Sequence, residues 1–101
     1  MNISPKIILL ADDDADDREL LEEAILSIET DAVIHAAASG NEALTVLNNS
    51  SDKELPCLII LDYNMPDLNG AEVIEIIIND NRYKDIPVLI WSTSNLPLLI
   101  V

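Results

Sequence analysis

The sequence predicts an α/β protein built on a parallel sheet, and two observations support this prediction. Three short apolar runs without polar–apolar alternation indicate strands buried on both faces: Ile7–Ala11, Cys57–Leu61 and Val88–Trp91. Segments with helical character lie between the strand candidates, and parallel strands require such crossover connections. The resulting order, β-α-β-α-β-α-β, is typical of α/β proteins.

Local patterns define the first helix, the second strand and the second helix. Apolar residues recur at helical spacing over Asp14–Glu29, and the acidic residues at its start favour the positive end of the helix dipole. Val33–Ala37 is the second predicted strand. Ser39, with Glu42 three residues later, predicts a capping box that opens a helix running to Asn48.

The second half of the chain supplies the third and fourth strands and the helix between them. The third strand begins after Pro56 with Cys57, for which we expect a small buried side chain. The segment Ala71–Asn79 is rich in β-branched residues and could form a strand by propensity. Its position between two strand candidates favours a crossover helix instead. Asp85-Ile86-Pro87 then leads into the fourth strand.

Length and composition indicate a single domain, residues 1–101, of a cytoplasmic protein. The apolar runs are far shorter than the ~20 residues of a membrane helix. The amino terminus has no stretch of signal-peptide length, and the single cysteine fits a reducing compartment. Five basic residues against 19 acidic ones give a net charge of −14. This charge disfavours nucleic acid and anionic membranes as partners and favours cations or basic protein surfaces.

Acidic or hydroxyl residues stand at the carboxyl ends of three predicted strands. Asp12 and Asp13 follow the first strand, Asp62 follows the third, and Ser92 follows the fourth. Ligands of open parallel sheets bind in the crevice outside the carboxyl ends of the strands. We therefore expect one site, built from distant parts of the chain.

Three segments resemble the receiver domain of bacterial response regulators (CheY-like). They are Leu9–Asp17, Leu61–Gly70, which contains an Asp-x-x-Met-Pro-x-x-x-Gly block, and Ile86–Ser92. The resemblance implies a flavodoxin-like, doubly wound parallel sheet of strand order 2-1-3-4-5. In that order strands one and three are neighbours, which would place Asp13 beside Asp62.

The resemblance also implies a role for each residue of the site. Asp62 is the phosphoacceptor, and Mg²⁺ is held by Asp13, Asp62 and the backbone carbonyl of Asn64, with Asp12 acting through water. Ser92 hydrogen-bonds a phosphoryl oxygen. Mg²⁺ prefers oxygen ligands, and a carboxylate can act as the nucleophile that becomes an aspartyl phosphate. The implied function is two-component signal transduction: a phosphorelay step in which a histidine kinase or phosphotransferase passes a phosphoryl group to Asp62.

The chain departs from the family pattern at its carboxyl end. It has no lysine after Lys84, so the family's Lys-Pro pair at the end of strand five has no counterpart. We expect a truncated receiver of four strands and three helices, without the fifth strand and the last two helices, that ends in an apolar tail at residues 95–101. The alternative function is a phosphorylation-deficient, Mg²⁺-binding interaction module or remnant. Because strand four would be an open edge, we expect a homodimer through strand four or the tail.

Overall fold

The computed structural model describes residues 6–91 and 99–100 of the chain. Four parallel strands form the body of one sheet: β1 (Ile7–Ala11), β2 (Val33–Ala37), β3 (Leu58–Asp62) and β4 (Val88–Trp91). Three helices connect them: α1 (Ala15–Ile28), α2 (Gly40–Asn49) and α3 (Gly70–Ile78), and a short 3-10 helix (Asp52–Glu54) precedes β3. The order β2-β1-β3-β4 places β1 beside β3, and the flavodoxin-like arrangement is confirmed.

The capping of α2 and α3 differs. At α2, the hydroxyl of Ser39 accepts a hydrogen bond from the backbone N–H of Glu42 at 3.1 Å. At α3, Asn69 and Glu72 form the reciprocal pair of a capping box, with distances of 2.9 and 3.0 Å. Since this pair satisfies N–H groups that a helix start leaves free, the β-branched segment after Asn69 is a helix, as the crossover argument predicted.

The alternating side chains of the strands divide the apolar core between the two faces of the sheet. The larger cluster lies on the side of α2 and α3 and includes Leu9, Leu47, Ile59, Leu61, Val73, Ile77 and Ile90. The smaller cluster lies on the side of α1 and contains Ile8, Leu10 and Ile60, against which Leu21 and Ile25 pack. No side chain of α1 is fully buried. None of the helices in the described residues has the length and apolarity needed to cross a membrane.

β3 is shifted by one residue from its predicted position. It begins at Leu58 and ends at Asp62, whereas the apolar run indicated Cys57–Leu61. Cys57 is exposed, so the expectation that it is buried is wrong. The shift makes Asp62 the last residue of a central strand, and its side chain is therefore buried rather than displayed on a loop.

A short fifth strand, β5 (Leu99–Ile100), pairs with the outer edge of β4. The pairing is antiparallel, with Leu89 opposite Ile100 and Ile90 opposite Leu99. The expectation that β4 has an open edge is therefore wrong at Leu89 and Ile90. An antiparallel return needs only a short connection, whereas a parallel fifth strand needs a crossover of about a dozen residues or more. The seven residues between Trp91 and Leu99 thus permit the first and not the second.

Candidate functional site

Two neighbouring strands bring three carboxylates together at one edge of the sheet. Ala11 of β1 lies opposite Leu61 of β3, so the residues that follow them, Asp12 and Asp62, stand side by side. Each of Asp12, Asp13 and Asp62 offers a carboxylate oxygen, and these atoms all lie within 4.8 Å of one another. The structure thus assembles the acidic residues that the sequence singled out.

Asp12 is the most deeply buried member of this acidic cluster, with none of its surface exposed. Its Oδ1 accepts a hydrogen bond from the backbone N–H of Asp14 at 2.9 Å. Its Oδ2 is buried and has no hydrogen-bond partner among the described residues. The guanidinium of Arg18 donates to the backbone carbonyl of Asp12 at 2.6 Å and so links α1 to the end of β1. A buried carboxylate oxygen without a donor is costly, and the water of a bound cation would satisfy it.

The pKa of Asp62 is raised to about 6. Burial is the main cause, and the negative charges of Asp12 and Asp13 add to it, while the hydrogen bond from the backbone N–H of Asn64 acts in the opposite direction. Burial also raises the pKa of Asp12. Both shifts show that negative charge is unfavourable in this cluster unless positive charge joins it.

The loop that follows Asp62 folds back over the end of β3. The backbone N–H of Tyr63 donates to the carbonyl of Trp91 at 2.9 Å, and that of Gly70 donates to the carbonyl of Tyr63 at 3.0 Å. The N–H of Asn64 donates to Asp62 Oδ1 at 3.2 Å. A side chain at position 70 would place its Cβ 3.1 Å from the carbonyl oxygen of Asp62, so glycine permits this close approach.

The remaining predicted residue, Ser92, lies outside the described residues, and its role stays a prediction. One residue of the loop was missed at the sequence level. The carboxylate of Asp67 accepts hydrogen bonds from the backbone N–H groups of Gly40 and Asn41 at the start of α2, at 3.1 and 2.8 Å. No local pattern indicates this contact, because Asn41 and Gly40 lie 26 and 27 residues before Asp67 in the chain.

The residues of the cluster fit a hard divalent cation. All the available donors are oxygen atoms, the ligands that Mg²⁺, Mn²⁺ and Ca²⁺ prefer. The buried Oδ2 of Asp12, which has no hydrogen-bond partner among the described residues, and the raised pKa of Asp62 both favour the binding of a positive charge at this site.

Comparison with known proteins identifies the family. The model of the response regulator receiver domain matches residues 8–98. This chain belongs to the response regulator receiver family. Among curated receivers, Response regulator Rcp1 of Synechocystis is 33% identical over 94 residues, which cover 90% of this chain and 64% of Rcp1. Chemotaxis protein CheY1 of Helicobacter pylori is 29% identical, with 86% of this chain and 67% of that protein covered.

Solved structures of response regulators share the fold. The phosphorylated cyanobacterial phytochrome response regulator RcpA superposes with a TM-score of 0.80 at 33% identity, covering 91% of this chain and 68% of that one. The Mn²⁺-bound form of Rcp1 gives a TM-score of 0.78 with the same identity and coverage. The receiver chain described here thus spans about two thirds of the length of the relatives that it matches.

Proposed function

We propose that this receiver accepts a phosphoryl group on Asp62 from a histidine kinase or a phosphotransferase, with a divalent cation present. The observation that carries the proposal is the position of Asp62 at the buried end of β3, within 4.8 Å of two further carboxylates. A carboxylate so placed is a nucleophile within reach of an entering phosphoryl group, and the cluster is also an acidic cation site.

The proposed step is a transfer from phosphohistidine to a carboxylate. Asp62 Oδ1 is engaged by the N–H of Asn64, so we assign the attack on phosphorus to Oδ2. As the new O–P bond forms, the P–N bond to the imidazole breaks, and its electron pair stays on the ring nitrogen. The product is an acyl phosphate on Asp62. Only the ionised carboxylate attacks, and a pKa of about 6 leaves most of Asp62 ionised at neutral pH.

Asp13, Asp62 and the backbone carbonyl of Asn64 would hold the cation, with Asp12 acting through water. When bound, Mg²⁺ supplies the positive charge that offsets both the carboxylates and the incoming phosphoryl dianion. Two related structures support this assignment, because that of Rcp1 is a Mn²⁺-bound form and that of RcpA is phosphorylated. Ser92 would hydrogen-bond a phosphoryl oxygen.

Charge and composition suggest the surroundings in which this receiver works. We infer a cytoplasmic location, which membership of the receiver family and the single cysteine support. We also infer a basic docking surface on the kinase or phosphotransferase, because the chain carries a net charge of −14. The same charge opposes binding to nucleic acid and to anionic membranes. We further infer a homodimer in which the apolar tail of one copy pairs with β4 of the other.

A second candidate function is cation binding without phosphorylation. It rests on one observation: the three lysines of the described residues, Lys6, Lys53 and Lys84, all precede strands and so lie at the other end of the sheet from the acidic cluster. Among the described residues no lysine therefore lies beside the acidic cluster, where the resemblance implies one, and the transferring phosphoryl group would lack that electrostatic stabilisation. In this case the acidic cluster would serve to fix the fold of an interaction module.

The two functions are separated by incubating the protein with acetyl phosphate and Mg²⁺ and measuring its intact mass. We expect the mass of one phosphoryl group to be added slowly and to only part of the protein, because no lysine of the described residues lies beside the acidic cluster. Asp62→Asn should abolish the addition, and Asp13→Asn should reduce it. Complete lack of labelling in a wild type that still binds Mg²⁺ would contradict the first function and favour the second, and labelling of Asp62→Asn would contradict the assignment of Asp62.

A further inference from the structure

Asp67 ties the loop of the site to a helix from a distant part of the chain. Its Oδ1 accepts from the N–H of Gly40 at 3.1 Å and its Oδ2 from the N–H of Asn41 at 2.8 Å. Oδ1 also accepts from the N–H of Leu68 at 2.7 Å. One carboxylate thus holds three backbone donors, two on α2 and one on its own loop. We call this arrangement the Asp67 clamp.

Close packing at Gly40 accompanies the hydrogen bonds of the Asp67 clamp. Gly40 is buried, and a Cβ built there would stand 2.9 Å from Leu68 Cβ and 2.9 Å from Val73 Cγ2. Such distances are shorter than normal carbon–carbon contacts. Only glycine therefore allows α2 to lie this close to Leu68 of the loop and Val73 of α3. The hydrogen bonds and the packing act on the same few residues, and they leave the loop little freedom to move relative to α2.

The hydrogen bonds to Asp67 are not explained by capping of α2 alone. Ser39 is already the N-cap of α2, and its hydroxyl accepts from the N–H of Glu42 at 3.1 Å. Asp67 takes the two N–H groups that precede Glu42, and it approaches them from a loop and not from the helix itself. The three hydrogen bonds, led by that from Asn41, lower the pKa of Asp67 to about 2. The carboxylate of Asp67 is therefore ionised at neutral pH.

The clamp acts on the part of the loop that the site uses. Between Asn64 and Asn69, the loop is anchored by the buried side chain of Met65, by the half-buried Leu68 against the core and by the carboxylate of Asp67. Asn64 lies three residues before Asp67, and its N–H holds Asp62 Oδ1. We propose that Asp67 is a positioning residue that fixes Asn64 against Asp62 by tying the loop to α2. The inference rests on the proposed function, in which the Asn64 carbonyl is a cation ligand.

The test compares Asp67→Ala with Ser39→Ala, which weakens the start of α2 without touching the loop. Two quantities are measured: the hydrogen-exchange rate of the Asn64 amide in metal-free protein, and the dissociation constant for Mg²⁺ followed by Trp91 fluorescence. Asp67→Ala should speed exchange at Asn64 and weaken Mg²⁺ binding about tenfold, the low end of the range for residues that orient metal ligands. Ser39→Ala should change Mg²⁺ binding less than about twofold, and Asp67→Asn, which keeps one acceptor oxygen, should fall between Asp67→Ala and the wild type.

Failure of the inference and failure of the proposed function give different results. If both quantities are the same in Asp67→Ala as in the wild type, or if Ser39→Ala matches Asp67→Ala, Asp67 has no positioning role. If the wild type itself binds no Mg²⁺, the proposed function fails. The exchange rate of the Asn64 amide then still decides whether Asp67 fixes the loop.

Discussion

At the residue scale, burial of Asp62 makes the stability of the metal-free receiver depend on pH. The pKa of this carboxyl is raised from 3.8 to about 6 in the folded protein. Between these values the folded state keeps a proton that the unfolded state has lost. The free energy of unfolding therefore falls as pH rises from about 4 to about 6. Since one pKa unit corresponds to about 1.4 kcal/mol, the loss amounts to roughly 2–3 kcal/mol.

Urea unfolding in EDTA across this range measures the effect. Asp62→Asn should remove most of the slope, because the amide carries no titrating proton, and it should be more stable than the wild type above pH 7. The matched control is Asp85→Asn, which removes an exposed charge near the amino end of β4 and should keep the wild-type slope. If the free energy of unfolding of Asp62→Asn depends on pH as that of the wild type does, folding does not raise the pKa of this carboxyl.

At the element scale, the contacts predictable from sequence are those with a local or periodic signal. The buried strands are visible as apolar runs, and the carboxyl ends of parallel strands meet at one edge, so Asp12, Asp13 and Asp62 could be placed together. The Asp67 clamp and the antiparallel β5 could not be predicted. The clamp joins residues 26 and 27 positions apart, and the direction of β5 depends on the length of its connection rather than on its composition.

The close contact between α2 and the loop leads to a second prediction at this scale. Gly40 is the first residue of α2, where alanine would ordinarily improve a helix. Because its Cβ would meet Leu68 Cβ and Val73 Cγ2 at 2.9 Å, Gly40→Ala should instead destabilise the fold, by about 1–3 kcal/mol for an overpacked site. Asn41→Ala, at the exposed next position of the same helix, should be neutral or slightly stabilising in thermal unfolding. Equal or greater stability of Gly40→Ala would show that the loop moves aside freely.

At the scale of the whole molecule, an acidic surface is combined with an uncharged tail. The net charge of −14 makes copies of the chain repel one another, while residues 96–101 carry no charged side chain. Each methylene left in water costs ~0.8 kcal/mol, so burying this tail is favourable. In the structure, two of its residues pair with β4 of the same chain. The same register is available to the tail of a second copy, which is the geometry of strand exchange.

We therefore expect the full chain to form a dimer at tens of micromolar through its tail. Light scattering coupled to size exclusion should show the dimer fraction rise with salt, because screening weakens the repulsion between two acidic copies. A chain ending at Asn95 lacks β5 and should be monomeric under the same conditions, whereas dimerisation of this shortened chain would assign the contact to the edge of β4 alone. A full-length chain that stays monomeric at low and high salt would mean that the pairing of β5 with its own β4 is sufficient to satisfy both strands.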